Sequence, residues 1–137
     1  MIPKFIKGSS YKDNRGSLNY NNYFDASSIN RMYVIENNLG FTRRWQGHKI
    51  EQRWFSAMKG DFEIQLIKVD NWETPNKKLE KLTFKLTEET LDFLHIPAGY
   101  VSSIKSFNKG DKLLVMSDYS LGEVNDDYKY SSDYFVE

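Results

Sequence analysis

The run Phe62-Glu63-Ile64-Gln65-Leu66 constrains this chain most tightly, because apolar and polar side chains alternate in it without a break. Only an extended strand puts every second residue on one face, so this stretch has to be a β-strand with one side buried. A second strand-length run, Gln52 to Lys59, precedes it across Gly60-Asp61, and the pair predicts a β-hairpin closed at that turn. Leu82, Phe84 and Leu86 repeat the alternation against Lys81, Thr83 and Lys85. Further strand-like runs cover 30–36, 41–45, 91–96, 100–107 and 112–117. Turn-forming segments separate them: Asn37-Asn38, the loop 70–78 around Pro75, Pro97-Ala98-Gly99 and Asn108-Lys109-Gly110-Asp111. No run carries the 3.6-residue period of a helix beyond one or two turns, and Thr87-Glu88-Glu89-Thr90 reads as loop. Many short strands predict an all-β sandwich or barrel, and the double-sheet jelly roll is the architecture expected among these.

With 137 residues the chain is expected to form a single domain, 1–137, with one core. Residues 1–22 read as an N-terminal arm or edge strand, with a bend at Asp13-Asn14-Arg15-Gly16 and a surface ion pair between Asp13 and Arg15. The tyrosine-rich tail 119–137 is expected to settle on the barrel or on a dimer partner. The absence of cysteine excludes disulfides and cysteine-based zinc sites. Balanced charge and the lack of a large basic block weigh against nucleic acid as a partner. No segment is long and apolar enough for a signal peptide or a membrane span, so no membrane partner and a cytoplasmic location are expected.

Side-chain chemistry concentrates between Gly40 and Gly60, which hold one of the two histidines, two of the three tryptophans and three arginines. Such a mixture suits the floor of a small-molecule pocket. Trp54 and Phe55 must point to opposite faces of one strand, Arg53 going with Phe55 and Gln52 with Trp54. His95, ahead of Ile96-Pro97, is expected to be structural, and Arg44 to face solvent.

The spacing in this stretch resembles the cupin frame. Gly40 is followed by five residues, then Gln46-Gly47-His48, four residues, Arg53, six residues and Gly60; later comes Pro97-Ala98-Gly99, two residues, and Ser102. Three of the four positions that hold a metal in cupins are here Gln46, Arg53 and Ser102. Arginine is permanently charged and has no lone pair to give, so no metal and no other cofactor are expected. The ordered set of motifs is similar to the metal-free cupins that act on dTDP-sugars, the 3,4-ketoisomerases and 3,5-epimerases. It comprises Asp13-Asn14-Arg15-Gly16, Arg31-Met32-Tyr33, Arg43-Arg44-Trp45-Gln46-Gly47-His48-Lys49, Ile96-Pro97-Ala98-Gly99, and the tail Asp126-Asp127-Tyr128-Lys129-Tyr130 with Asp133-Tyr134-Phe135.

That resemblance implies a dTDP-4-keto-6-deoxyhexose as substrate, isomerised through an enediolate, and a homodimer with an exchanged N-terminal strand. It implies His48 as acid and base, with Tyr33 or a tail tyrosine as second proton carrier. Arg43 and Arg53 would hold the diphosphate or enediolate, Trp45, Trp54 or Tyr100 would stack on base or sugar, and Gln46 and Ser102 would line the pocket. Gln46 stands where the family has its usual general base, and an amide takes no proton at neutral pH. Either His48 works alone, or the pocket binds a sugar nucleotide without turning it over; a purely structural, dimerising role is the third reading.

Overall fold

The corner at Gly60 organises the molecule, and it is not a hairpin. In the computed structural model, which describes residues 1–136, the strands on either side of it belong to different sheets. The strands in chain order are β1 (Lys4–Ile6), β2 (Ser9–Asp13), β3 (Gly16–Tyr20), β4 (Arg31–Ile35), β5 (Arg43–His48), β6 (Arg53–Lys59), β7 (Asp61–Lys68), β8 (Leu82–Thr87), β9 (Phe93–Ile96), β10 (Tyr100–Ser106), β11 (Lys112–Ser117) and β12 (Tyr128–Lys129). One sheet has the order β1-β9-β6-β11-β4, the other β12-β5-β10-β7-β8, and β2 pairs with β3 alone. The pairings are antiparallel.

The expected pairing of β6 with β7 therefore fails, and the reason is local. Gly60 has φ +77°, and a Cβ there would lie 1.8 Å from Asp111 Oδ1. Asp111 Oδ2 accepts from the amides of Asp61, Phe107 and Asn108, and Glu88 accepts from that of Gly60. The turn is thus bound to the β10–β11 and β8–β9 connections, which swing β7 over to the opposite sheet. The expected faces do hold: Phe62, Ile64 and Leu66 are fully buried, with Glu63 and Gln65 half-exposed opposite them.

Between the sheets lies the main core. Phe55, Ala57, Leu94, Ile96, Leu113 and Val115 come from one side, Phe62, Ile64, Leu66, Leu86, Tyr100 and Ile104 from the other. Two smaller clusters cover the outer faces. Trp54, Phe93 and Met116 pack under Phe24 and Ile29, with Phe24 stacked on Phe93. Trp45, Ile67, Val69 and Val101 pack under Phe135, Tyr130 and Tyr134 of the tail. Residues 4–20 form three strands rather than one, and the Asp13–Arg15 pair closes the β2–β3 hairpin at 2.6 Å. The fold is an all-β jelly roll, and among the described residues no helix is long and apolar enough to cross a membrane.

Candidate functional site

A bulge in β5 sets the inner face of the site. Opposite β10, Arg43 stands against Ile104, Gln46 against Ser102 and His48 against Tyr100. The register slips between Ser102 and Ser103, leaving Trp45 as the extra residue. In a regular strand Arg43 would share a face with Trp45 and Gly47. The inserted residue turns it instead to the side of Gln46 and His48. Gly47 is needed on the other face, where a Cβ would meet Tyr100 O at 2.5 Å and Val101 Cγ1 at 2.6 Å.

These side chains border an open cavity of about 630 Å³ between the sheets. The opposite sheet contributes Tyr33 of β4 and Arg53 of β6, and the floor is Phe55, Ile96, Tyr100, Ile104 and Val115. Arg43, Arg44, Gln46 and Lys129 are exposed along the cavity, while Arg53 is only 7% exposed. Arg43 Nε donates to Asn37 Oδ1 at 2.9 Å, and buried Asn37 is itself fixed on the Ile104 carbonyl, so the guanidinium is held in place.

His48 is poised as a base. Its Nδ1 lies 2.9 Å from the backbone oxygen of Asp126. A carbonyl only accepts, so the neutral ring carries its proton on Nδ1 and keeps the Nε2 lone pair, for which no hydrogen bond exists among the described residues. Burial lowers the affinity of His48 for a second proton below the ordinary value of 6.5, and the Arg53 charge lowers it further. The Asp126 carbonyl and the charges of Glu51 and Asp126 oppose this without overcoming it. The imidazole is therefore neutral near pH 7.

Arg53 joins this base to the opposite sheet. Its Nη2 donates to Glu51 Oε1 at 3.0 Å and its Nη1 to the Tyr33 hydroxyl at 2.8 Å. Because that hydroxyl oxygen accepts from arginine, its own hydrogen is free for a bound molecule. Arg53 Nε is buried and has no acceptor among the described residues.

His48, Glu51 and Asp126 also bring potential ligand atoms within 4.8 Å of one another. Most of their polar atoms are already engaged, His48 Nδ1 by its hydrogen bond to the Asp126 carbonyl. Asp126 accepts from the amides of Lys49, Ile50 and Glu51, and Glu51 Oε1 from Arg53 and Ser117. The Arg53 guanidinium lies in the same cluster, so the group is arranged as a hydrogen-bond network rather than as an ion cage.

Of the residues singled out in the sequence, Tyr33, Arg43, Gln46, His48, Arg53, Tyr100 and Ser102 converge on this cavity. Trp45 borders it but is 2% exposed, its ring edge-on to Phe135 on the far side of the sheet. No ring face is left for a base to stack on, which corrects the expected role of Trp45. Trp54 lies on the opposite face of β6 from Phe55, stacked on His95, whose Nε2 meets Gln52 Oε1 at 2.6 Å. Neither Trp54 nor His95 borders the cavity. Arg44 is exposed as expected, yet it too borders the cavity. Sequence reasoning missed Glu51, Asn37 and the part played by Asp126. A buried acid inside the polar stretch Lys49–Gln52 carries no periodic signal, and Asp126 was visible only as part of a tail motif.

The chain matches no family model and none of the curated proteins. It is similar to solved structures over nearly its whole length. A 3,4-ketoisomerase from Helicobacter canadensis is 24% identical with a TM-score of 0.72, covering 98% of this chain and 96% of that one. A 3,4-ketoisomerase from Thermoanaerobacterium thermosaccharolyticum, solved as a mutant with TDP-4-keto-6-deoxyglucose, is 21% identical with a TM-score of 0.71, covering 97% and 91%. The rmlC epimerase of Mycobacterium tuberculosis is 7% identical with a TM-score of 0.75, covering 98% and 73%. At these identities the likeness is one of fold: the chain has the cupin-type jelly roll found in these sugar-nucleotide ketoisomerases and epimerases.

Proposed function

We propose that the chain, as one cupin-like unit over 1–137, is a metal-free isomerase of a dTDP-4-keto-6-deoxy sugar. The observation that carries this is the pairing, bordering one cavity, of His48, whose Nδ1 is bonded and whose Nε2 is not, with a Tyr33 hydroxyl that accepts from Arg53 and donates to none of the described residues. His48 Nε2 removes the proton from the carbon beside the ketone. The electrons of that C–H bond form the enediolate, and the former ketone oxygen gains a proton from Tyr33. The hydroxyl on the deprotonated carbon gives its hydrogen back to the Tyr33 phenolate as it becomes the new ketone, and the imidazolium delivers its proton to the former ketone carbon. Arg53, which borders the cavity and holds the Tyr33 hydroxyl, stabilises the enediolate with its charge. Arg43, Arg44 and Lys129, exposed along the cavity, match the charge of a diphosphate. Gln46 and Ser102 orient the sugar, and Tyr100 backs it from the core.

Gln46 supports a second reading, a sugar-nucleotide-binding module without turnover. Its amide donates to Asp127, and no second imidazole reaches the cavity. A homodimer suits the exposed apolar residues Tyr11 and Leu18 on the β2–β3 hairpin and Met32 and Val34 on edge strand β4. A cytoplasmic location goes with a nucleotide-sugar substrate.

Incubation with TDP-4-keto-6-deoxyglucose in deuterated water, followed by NMR, tests the enzyme reading. Deuterium is expected at the carbons beside the carbonyl, together with the 3-keto product. No exchange above background with this or other dTDP-keto sugars overturns catalysis, and no thermal shift with dTDP overturns the pocket assignment as well.

A further inference from the structure

We propose that Glu51 is a positioning residue for proton transfer at His48, its carboxylate serving as the counter-charge for the imidazolium and tying that ring to the Arg53–Tyr33 pair. The proposal rests on the proton-transfer reading of the cavity and adds a residue that does not itself line the cavity but bonds to Arg53, which does.

The geometry divides the carboxylate between two tasks. Glu51 Oε1 accepts from Arg53 Nη2 at 3.0 Å and from Ser117 Oγ at 2.7 Å, so it is fully engaged. Oε2 faces His48 Nδ1 at 3.7 Å, beyond hydrogen-bond range but well inside the reach of charge attraction at a site where Glu51 is buried and His48 largely so. The neutral ring is satisfied by the Asp126 carbonyl, whose hydrogen bond needs only the Nδ1 proton. Once Nε2 takes a proton, the ring is a cation with Arg53 nearby, and among the described residues the anionic oxygen close to its Nδ1 that is not already bonded is Oε2 of Glu51. The charged groups facing His48 are Glu51 from the β5–β6 connection, Arg53 from β6 and Asp126 from the tail; Tyr100 stands opposite on β10. Burial and Arg53 disfavour the imidazolium, so removing Glu51 leaves Asp126 as the one opposing charge.

The test is Glu51→Gln in the full chain, with two readouts. The His48 imidazole, followed by 15N NMR without substrate, is expected to titrate about half a pH unit or more below the unaltered chain. With TDP-4-keto-6-deoxyglucose, kcat is expected to fall about 10- to 100-fold while KM stays within about threefold. Glu51→Gln also leaves Arg53 without its buried counter-charge. If it gives no cooperative melt, Glu51→Asp keeps the charge beside Arg53 but draws it back from Nδ1, and smaller changes of the same sign are expected. A folded variant whose His48 titration does not move, or whose kcat matches the unaltered chain although the titration moves, overturns the proposal. Absence of turnover in the unaltered chain counts against the proposed function, and the substrate-free titration then still decides whether Glu51 acts on His48.

Discussion

Asp126 reaches across 78 positions of sequence to fix the tautomer of His48, its backbone oxygen 2.9 Å from the ring Nδ1. The same residue holds the loop after β5 by accepting three backbone amides, Lys49 at 2.9 Å, Ile50 at 2.8 Å and Glu51 at 2.7 Å. Asp126 is 2% exposed and the Glu51 amide is buried with it, so that donor has no water to turn to if the carboxylate is removed. Asp126→Ala is expected to lower stability by about 3 kcal/mol, the scale of lost hydrogen bonds to a charged acceptor with one donor left buried. In urea the midpoint should fall at an unchanged m-value, and turnover should fall with it as the tail segment that carries the His48-anchoring backbone carbonyl loosens. A midpoint equal to that of the unaltered chain would contradict the anchoring role.

His48→Asn separates chemistry from binding. Asparagine keeps a polar group near the Asp126 carbonyl but cannot cycle a proton near pH 7. Turnover is expected to fall about 10²- to 10⁴-fold, the usual worth of a general base. The contacts assigned to the diphosphate lie on Arg43, Arg44 and Lys129, so the thermal shift produced by dTDP should persist. Undiminished turnover would remove His48 from the mechanism.

The pH dependence has a definite sign. The base form of His48 is the neutral ring, and burial with Arg53 holds its pKa below 6.5. The kcat/KM should therefore be flat through neutrality and drop only as pH falls beneath 6.5, through the folded-state value. His95 is lowered as well, by burial first. Both rings bind a proton more weakly folded than unfolded, so their contribution to stability is present above about pH 6.5 and is lost as pH falls below it. Melting temperature measured from pH 8 to 5 should decline in that range, and less steeply in His48→Asn. An acid limb of kcat/KM centred above pH 7 would contradict a buried, neutral base.

Much of the site was legible in the sequence, because turn glycines and alternation place strands and their faces. The frame from Gly40 to Gly60 and Pro97 to Ser102 did bring Arg43, Gln46, His48, Arg53 and Ser102 to one cavity. What stayed hidden depends on pairing rather than pattern. Alternation cannot show that β6 and β7 part company at Gly60, since that depends on Asp111, a residue of the β10–β11 connection. Nor can it show a bulge, so the resemblance rather than the strand period pointed to Arg43. Glu51 and Asp126 are acids in polar stretches, and their burial follows from partners supplied by β6, β11 and the tail.

Gly60→Ala tests that corner. At φ +77° an alanine is strained, and its Cβ would displace the Asp111 carboxylate from the amides of Asp61, Phe107 and Asn108. Backbone strain of about 1–2 kcal/mol adds to the loss of those hydrogen bonds, for a total of about 3 kcal/mol. Chemical denaturation reads the loss directly, and a cost under about 1 kcal/mol would mean that the corner is not held by Asp111.

Gln46 is the position at which the two functional readings part, and truncating it shows what it contributes. Its amide donates to the Asp127 carboxylate at the exposed side of the cavity, and it can neither take nor give a proton at neutral pH. If it orients the sugar equally in ground state and transition state, Gln46→Ala raises KM about 3- to 10-fold and leaves kcat within about threefold. The contrast with His48→Asn is then a division of labour on one strand face, with binding at position 46 and proton transfer at position 48. A kcat that collapses in Gln46→Ala as far as in His48→Asn would show that the pair acts as a unit, and would end the assignment of the chemistry to a single imidazole.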